Sequence, residues 1–311
     1  MRVSVVVCTY AEKRYEEFAE AATSVLAQTH DPVELVIVVD GNETVCDRAR
    51  ADFGEYENVI IHCNEQNRGL SYSRTRGVER ASGEVIAFLD DDAVATAEWV
   101  SQLVDGYEQT DAIAVGGRMV ADWVAGKPSH LPAEFYWLVG VNYEPRLEPW
   151  TEVRNTLGSN ISFRREVFEE LGGFDEQVGL QGDKQIQAEE TELCIRMADA
   201  FGQGVLYNPE AIVAHKIFDY RTDPVWLCKR AFWQGYSKRA LESLGSGDTQ
   251  DAESEFLSHL AFEAVPRRLG KLIRTPSFAG IQQLVFLVLL TGCVGGGYLY
   301  GLLRRAGKPT G

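Results

Sequence analysis

The feature that most constrains this chain is an apolar run at residues 85–89 that ends in three consecutive acids, Asp90, Asp91 and Asp92. Five apolar residues in a row indicate a strand buried on both faces, as in parallel sheets. Ligands of open α/β sheets bind outside the carboxyl ends of the strands. Because residues two apart in a strand point to the same side, Asp90 and Asp92 could hold Mn²⁺ or Mg²⁺, which would carry phosphates. The alternative is a solvated acidic turn that begins a helix.

Three more apolar runs precede this one, and helical stretches separate them. The predicted strands cover residues 3–8, 35–39, 59–62 and 85–89, and the predicted helices cover 15–28, 44–53 and 71–81. This alternation indicates βαβ units and a mostly parallel sheet. Thr9, Asp40 and Asp90 follow three of the strands, so we expect them at one edge of the sheet. Neither GxGxxG nor a P-loop follows the first strand, which disfavours a nicotinamide dehydrogenase and a P-loop enzyme.

The chain is strongly acidic, with 46 acidic and 30 basic residues among 311 and a formal net charge of -16. This charge disfavours nucleic-acid binding, which needs cationic side chains for the phosphates. An acidic surface fits a cytoplasm of very high salt, where charges are strongly screened. We therefore expect a halophilic source; the alternative is simply an acidic protein.

Cysteine usage and the N-terminus both indicate a reducing compartment. The six cysteines are scattered and form no CxxC pair. They are predicted to be free thiols, with neither a disulfide framework nor a zinc site. The first residues run into a strand without a signal peptide, so we expect the catalytic part to face the cytoplasm.

The C-terminal part has a different composition. Residues 275–303 carry no charge, and 281–303 are long enough to cross a bilayer, which takes ~20 apolar residues. Glycines at 292, 295, 296, 297 and 301 suit a membrane helix packed on another helix. We expect one membrane span, with the basic cluster before it on the cytoplasmic side. A helical hairpin lying in the interface and a buried soluble helix are the alternatives.

Two further places carry candidate chemistry. A helix is predicted to begin at residue 188, and its first turn contains Glu189, Glu190 and Glu192. These acids either favour the helix dipole or include a general base. His215 follows a short apolar piece at 211–214. A lone histidine there is usually structural, and the other interpretation is a metal ligand.

Taken together, the motifs resemble those of glycosyltransferase family two over roughly residues 3–240. The motifs are Val7-Cys8-Thr9-Tyr10, Val38-Val39-Asp40-Gly41, Asn67-Arg68-Gly69 with Arg74 and Gly77, Phe88-Leu89-Asp90-Asp91-Asp92, Gly158-Ser159-Asn160, Gly172-Gly173-Phe174-Asp175-Glu176 and Glu189-Glu190-Thr191-Glu192. The resemblance implies a GT-A, Rossmann-like α/β fold with a mostly parallel sheet, followed by C-terminal helices and a membrane segment. It also implies transfer from a nucleotide-diphosphate sugar, with inversion and a divalent cation, Mn²⁺ or Mg²⁺. We expect a UDP-linked donor for this chain.

The resemblance assigns a role to each matching residue. The residues that would contact the nucleotide are Thr9, Tyr10, Glu12, Asp40, Asn67, Arg74 and Asp90. The DXD-type metal site would consist of Asp90, Asp92 and His215, and the catalytic base would be Glu190 with Glu189. The residues that would contact the acceptor or the sugar are Gly117, Arg118, Ser159, Asn160 and Trp233. Glu190 stands where the family has Asp. The QxxRW motif of processive members is absent, which favours addition of one sugar per encounter.

Within the family, the acidic chain with a C-terminal membrane segment looks like the haloarchaeal Agl-type transferases. These act on dolichyl-phosphate-linked glycans, with other glycan-assembly enzymes, for N-glycosylation of the surface-layer (S-layer) protein. A member that adds a hexuronic acid such as glucuronic acid is the nearest likeness, and Arg118 or Arg154 would bind the sugar carboxylate. The alternatives are a dolichyl-phosphate sugar synthase and a non-catalytic glycan-binding scaffold.

This interpretation divides the chain into three regions. Residues 1–245 are the glycosyltransferase domain, with a nucleotide-sugar half at 1–120 and an acceptor half at 121–245. Residues 246–274 are a linker and juxtamembrane helix, and 275–311 are the membrane segment and basic tail. We expect the protein at the cell membrane, with the catalytic domain on the cytoplasmic side.

Overall fold

The four apolar runs form four parallel strands in the computed structural model, which describes residues 1–142, 148–176, 189–241, 254 and 256–306. They are β1 (Val3–Thr9), β2 (Val33–Asp40), β3 (Val59–Asn64) and β4 (Val85–Asp90), in the spatial order β3-β2-β1-β4. Helices α1 (Tyr15–Leu26), α2 (Glu43–Phe53) and α3 (Leu70–Arg80) connect them. The predicted α/β class with parallel βαβ units is confirmed.

The sheet continues beyond β4 with antiparallel strands. They are β5 (Ala93–Ala95), β6 (Ala114–Trp123), β7 (Thr151–Val153), β8 (Ile161–Arg164) and β9 (Val205–Ile217), with helices α4 (Trp99–Gln109), α5 (Arg165–Leu171) and α6 (Glu189–Phe201) between them. β8 lies between β4 and β6, and β9 pairs with β5 and β7.

β9 is one continuous strand that contains the apolar piece at 211–214 and extends back through Pro209 and Asn208 to Val205. The polar Asn208 is accommodated within the strand because its side-chain amide donates to the backbone oxygen of Gln102 (2.8 Å).

Both faces of the parallel half of the sheet are buried. Val85, Ala87 and Leu89 of β4 belong to one core, which includes residues of α1, α2 and α4. Ile86 and Phe88 belong to the other, which includes residues of α3, α5 and α6. Successive side chains of a strand point to opposite faces, so β4 is buried on both sides, as predicted, and only its carboxyl end is left for ligands.

One pair of cysteines departs from the prediction of free thiols. Cys46 in α2 and Cys63 in β3 form a disulfide, with their Cα atoms 6.1 Å apart. α2 returns along the sheet beside β3, which brings together two residues that are 17 apart in sequence. Spacing alone gave no signal for this pair. Cys8, Cys194, Cys228 and Cys293 are free thiols.

The described residues form two compact units. The first comprises residues 1–122, 148–176 and 189–216 and contains most of the sheet. The second comprises 123–142, 217–241, 254 and 256–306. The domain boundaries given above remain a prediction. Residues 246–253 and 255 of the predicted linker and juxtamembrane helix at 246–274, and residues 307–311 of the predicted membrane segment and tail, lie outside the described residues.

The second unit contains three long helices, α7 (Pro224–Leu241), α8 (Val265–Arg274) and α9 (Phe278–Ala306). α7 and α9 meet at glycines: a Cβ on Gly235 would lie 1.9 Å from the backbone oxygen of Val294, and one on Gly297 would lie 1.8 Å from that of Phe232. Among the described helices, only Phe278–Arg304 is long and apolar enough to cross a membrane, with a mean hydropathy of 1.8. It contains the predicted segment 281–303.

Candidate active site

Three strands of the parallel half deliver polar residues to one edge of the sheet. Thr9 ends β1, Asp40 ends β2 and Asp90 ends β4. In the strand register, Cys8 lies beside Asp90, and Asp40 lies beside Asn64. The predicted convergence of these strand ends is therefore present.

Asp40 organises the loop that leads into α3. Its carboxylate accepts hydrogen bonds from the backbone N–H groups of Arg68 (3.0 Å) and Gly69 (2.8 Å) and from the side chain of Asn64 (2.8 Å). Gly41, with φ at +68°, allows the loop to approach, because a Cβ there would lie 2.0 Å from the nitrogen of Asn67. The carboxylate thus fixes the loop backbone beside the end of β2.

Arg74 connects the two acidic clusters that are distant in sequence. Its guanidinium is buried and donates to Asp90 Oδ1 (2.9 Å), Glu189 Oε1 (3.2 Å) and the backbone oxygen of Gly158 (3.2 Å). The rings of Phe88 and Phe174 pack on each other and each lie 5.7 Å from the guanidinium carbon. The end of β4 and the first residue of α6 therefore meet at one buried cation.

Glu190 follows directly in α6. A Cβ on Gly158 would lie 3.4 Å from the Glu190 carboxyl carbon and 3.1 Å from Arg74, so the Glu190 side chain also reaches this cluster. Burial, and then the adjacent charge of Glu189, raises the pKa of Glu190 to about 7, while Arg74 opposes the shift. A carboxyl group with this pKa is suited to accept a proton at neutral pH.

A second group of charges surrounds Asp91 and Asp92. Arg14 Nη2 bridges Asp91 Oδ1 (2.8 Å) and Asp92 Oδ2 (3.0 Å), and Thr9 donates to Asp91 Oδ2 (3.0 Å). Burial raises the pKa of Asp91 to about 7, although Arg14 lowers it. Pairing of β5 with β9 brings His215 to Asp92, with Nε2 and Oδ1 3.2 Å apart.

The predicted metal ligands are only partly together. Asp92 and His215 are adjacent, whereas Asp90 is bound by Arg74. In the part of the chain that the structure describes, no three His, Cys, Asp or Glu side chains form a cation site. One carboxylate and one imidazole nonetheless fit a cation that takes its other ligands from a diphosphate, as Mg²⁺ and related ions commonly do.

Tyr10 and Glu12 lie at the surface near this edge. They line an open depression with Ala11, Lys13, Asn42 and Arg48. The Tyr10 ring is 57% exposed and so is available for stacking. The side chain of Asn42 donates to the Tyr10 backbone oxygen (2.9 Å) and caps α2 at Val45, which fixes one wall.

The residues predicted to contact sugar or acceptor have different surroundings. Ser159 accepts a hydrogen bond from the Asp90 backbone N–H (2.9 Å). Asn160 is fully buried and holds Trp99, Arg118 and Ala211 through its amide group. Asn160 therefore braces the strands behind the site.

Of the other members of this predicted set, Gly117 and Arg118 are consecutive in β6, whereas Trp233 lies in α7. A Cβ on Gly117 would lie 2.1 Å from the backbone oxygen of Ala211, so Gly117 serves close strand packing. Arg118 is partly exposed on β6. Trp233 belongs to the second unit, where its ring contacts Phe232 and Tyr236.

Three residues of the site, Arg14, Asn64 and Asp91, were given no role in the prediction from sequence. Arg14 and Asp91 pair directly, and Asn64 binds Asp40. Asn64 could have been predicted from the sequence, because it ends a strand at the same edge as Asp40. Nothing in the sequence distinguishes Arg14, since it lies in a charged stretch between β1 and α1.

Comparison with known proteins identifies the family of this chain. The model of glycosyl transferase family 2 matches residues 4–172. The chain is 53% identical over 304 residues to the glucosyl-dolichyl phosphate glucuronosyltransferase of Haloferax volcanii, covering 97% of each protein. It is 28% identical to the succinoglycan biosynthesis protein ExoM of Rhizobium meliloti, covering 90% of this chain and 92% of ExoM.

Solved structures show the same fold at low sequence identity. A mannosyltransferase from Pyrobaculum calidifontis, solved with GDP-mannose and Mn²⁺, has a TM-score of 0.60 at 18% identity, with 98% of this chain and 88% of that chain covered. TarS of S. aureus has a TM-score of 0.54 at 15% identity, with 100% and 93% covered. The family match and the Haloferax likeness together show that this chain belongs to glycosyltransferase family 2, with a GT-A-like fold.

Proposed function

We propose that this protein is an inverting glycosyltransferase that moves one hexuronic acid from a UDP-linked donor to a sugar on dolichyl phosphate. The observation that carries the proposal is the bridge made by Arg74, which joins Asp90 to Glu189 and so brings Glu190 to the edge where β4 ends. The transferred sugar and the acceptor are inferred from the Haloferax relative, which is named for glucuronosyl transfer to glucosyl-dolichyl phosphate.

Glu190 is the residue we assign as the general base. It takes the proton of the acceptor hydroxyl while the hydroxyl oxygen attacks the anomeric carbon of the donor sugar. The new bond forms on one face of that carbon as the bond to the diphosphate oxygen breaks on the other, which inverts its configuration. The proton remains on Glu190, and the bonding electron pair leaves with the diphosphate.

The acids at the other end of the cluster serve the leaving group. Asp92 and His215 would hold the divalent cation, Mn²⁺ or Mg²⁺, which when bound neutralises charge that develops on the diphosphate. Arg14 supplies a positive charge of the protein at the same place. Glu189 positions Arg74 through their ion pair, so that the guanidinium also stays paired with Asp90.

The remaining assignments concern the nucleotide and the sugar. Tyr10 and Glu12, with Thr9 and the loop held by Asp40, would receive the base and ribose, and Asn67 would contribute from the same loop. A uronic carboxylate needs a cation, and Arg118 or Arg154 is the candidate. Ser159, next to Asp90, would line the sugar site, and Trp233 the acceptor side.

We place the reaction at the cytoplasmic face of the cell membrane, because nucleotide-activated sugars are made in the cytoplasm and the dolichyl acceptor is a lipid. Its product would be a lipid-linked glycan for N-glycosylation of the S-layer protein, extended by other glycan-assembly enzymes. The extended apolar helix α9 supports membrane association.

The test offers radiolabelled UDP-glucuronic acid to the full-length protein in Mn²⁺ or Mg²⁺ at high salt. Parallel reactions contain glucosyl-dolichyl phosphate, bare dolichyl phosphate or no lipid, and UDP-glucose replaces the donor as a control. We expect label only on glucosyl-dolichyl phosphate and only from the glucuronic acid donor. Label on bare dolichyl phosphate would indicate a dolichyl-phosphate sugar synthase, and no transfer by a folded protein would contradict the proposal.

A further inference from the structure

The last helix of the second unit has one apolar side that no described residue covers. Leu287, Leu290, Gly297 and Gly301 of α9 are buried. At about 100° per residue, the exposed apolar residues fall on the opposite side of the helix. These exposed residues are Phe278, Ile281, Val285, Val288, Leu289, Leu299, Leu302 and Leu303. The stripe extends from the first turn of the helix to the last.

The buried side of α9 is packed along its length. Near its start, Gln283 donates to the backbone oxygen of Ser129 (2.9 Å), and the Phe286 ring lies 4.7 Å from the ring of His130. Toward its end, a Cβ on Gly301 would lie 3.2 Å from the Arg239 side chain. α9 is therefore one wall of a folded unit, and only its outer side is available to a partner.

The packing partner α7 is unsuited to the interior of a bilayer. It lies along the C-terminal half of α9, where Gly235 meets Val294 and Phe232 meets Gly297. α7 also carries four basic side chains, Lys229, Arg230, Lys238 and Arg239. If α9 crossed the membrane, these charges would enter the hydrocarbon, where ionisable groups are costly and rare.

The preceding helix, α8, also exposes apolar residues. Arg268 anchors α8 by donating to the buried carboxylate of Glu134 and to Gln283 Oε1 (2.7 Å). Leu269 and Ile273 point elsewhere and are 43% and 81% exposed, as is Phe262 just before the helix, at 81%. We call these three residues and the exposed stripe of α9 the α8–α9 face.

Charge around this face is the reverse of that of the chain as a whole. The protein has a net charge of -16, yet Glu263 is its last acidic residue. The basic residues that follow it within the described helices α8 and α9, and whose side chains are described, are Arg267, Arg268, Lys271, Arg274 and Arg304. Such a combination of apolar and basic residues is typical of surfaces that enter the headgroup region of anionic lipids. A second copy of the chain would bring like charges together, which disfavours dimerisation here.

We propose that the α8–α9 face rests on the surface of an anionic lipid bilayer, with α9 lying in the plane of one leaflet without crossing it. Phe262, Ile273 and the stripe insert among the acyl chains near the headgroups, and the exposed side chains of Arg267, Lys271, Arg274 and Arg304 contact lipid phosphates. The face is distinct from the candidate active site, and its test does not depend on activity.

The first test is flotation of the full-length protein with vesicles of phosphatidylglycerol or phosphatidylcholine, in dilute and in molar KCl. We expect binding to phosphatidylglycerol vesicles and an approximately tenfold weaker affinity for Ile273→Asp, because an inserted side chain becomes charged. Tyr56→Asp is the matched control, since Tyr56 is 51% exposed in the first unit, and it should bind like the unsubstituted protein. Equal flotation of both variants would overturn the proposal.

The second test separates lying from crossing. Phe278→Cys, Val288→Cys and Leu299→Cys are spin-labelled one at a time, with the label on native thiols subtracted, and depth is read from collisions with oxygen and a nickel complex. We expect three similar, shallow depths. A central label much deeper than the other two would show a transmembrane helix. Labels that stay in water, with a concentration-dependent dimer in sedimentation, would show a second copy on this face. Either result would overturn the proposal.

Discussion

Two neighbouring acids, Glu189 and Glu190, have different environments although they share one helix turn. Arg74 binds Glu189 directly, with Nη1 of Arg74 and Oε1 of Glu189 3.2 Å apart. Glu190 has a pKa raised to about 7 by burial and by the charge of Glu189. The geometry therefore separates a positioning acid from an acid that can exchange a proton at neutral pH.

Replacing Glu190 by Gln should lower kcat by about 10²–10⁴-fold, since the base is lost while the shape is kept. In the unsubstituted enzyme, kcat should rise with pH through about 7, because only the ionised carboxylate accepts a proton and its pKa is raised to about 7. The measurement is kcat against pH at saturating donor. Glu192→Gln is the control, because Glu192 lies in the same turn but pairs with Arg196, and it should keep the profile. A flat profile in the unsubstituted enzyme would contradict the role of Glu190.

Arg74→Ala should lower the free energy of unfolding by about 3–5 kcal/mol, because it leaves the buried Glu189 carboxylate and the partly exposed Asp90 carboxylate without their cation. Urea unfolding at high salt measures this. Arg50→Ala, which removes an exposed pair with Asp47, should change nothing measurable. Arg74→Lys should recover part of the stability, and equal stability of Arg74→Ala and the unsubstituted protein would refute the bridge.

At the scale of elements, the site depends on where strands end and how the following loops return. β1, β2 and β4 end at the same edge, and the loop before α3 folds onto Asp40. That return requires the absence of a side chain at Gly41. The nucleotide edge is thus set by backbone geometry as much as by its carboxylates.

Gly41→Ala should raise KM for the donor and destabilise the fold, because the new Cβ would lie 2.0 Å from the nitrogen of Asn67. Gly202→Ala provides the comparison: Gly202 has the same φ of +68°, but nothing lies within 4 Å of a Cβ there. Gly202→Ala should lower the free energy of unfolding by only ~1–2 kcal/mol, because a residue with a side chain is strained in the left-handed conformation. It should leave the KM for the donor unchanged. The measurements are the KM for the donor and the free energy of unfolding in urea for both variants. Equal values for Gly41→Ala and Gly202→Ala would contradict the tight approach of the loop to Gly41.

The disulfide between Cys46 and Cys63 ties α2 to β3 across 17 residues. Closing a loop of this size in the unfolded chain contributes about 3 kcal/mol in the chain-entropy account. The variant with both cysteines replaced by Ala should therefore unfold at lower urea than the oxidised protein. Without reductant we expect a difference of that order, and with reductant the two proteins should converge. No difference under oxidising conditions would show that the bond does not form in solution.

At the scale of the whole molecule, the parallel half of the sheet and its polar edge could be predicted from the sequence. Buried strands consist of unbroken apolar residues, and their ends are marked by Asp40 and Asp90. The partners of those acids could not be predicted, because the pairing of Arg14 with Asp91 depends on how separate loops meet. The buried role of Asn160 likewise follows only from its neighbours in the folded chain.

The central claim is that acids from distant parts of the chain divide one reaction, Asp92 serving the donor diphosphate and Glu190 the acceptor proton. Calorimetric titration of UDP in the presence of Mn²⁺ tests this division most directly. We expect Glu190→Gln to bind UDP within about twofold of the unsubstituted protein, whereas Asp92→Asn should lose roughly tenfold or more in affinity, as with lost metal-site groups. Equal losses in both variants, or none in Asp92→Asn, would contradict the account.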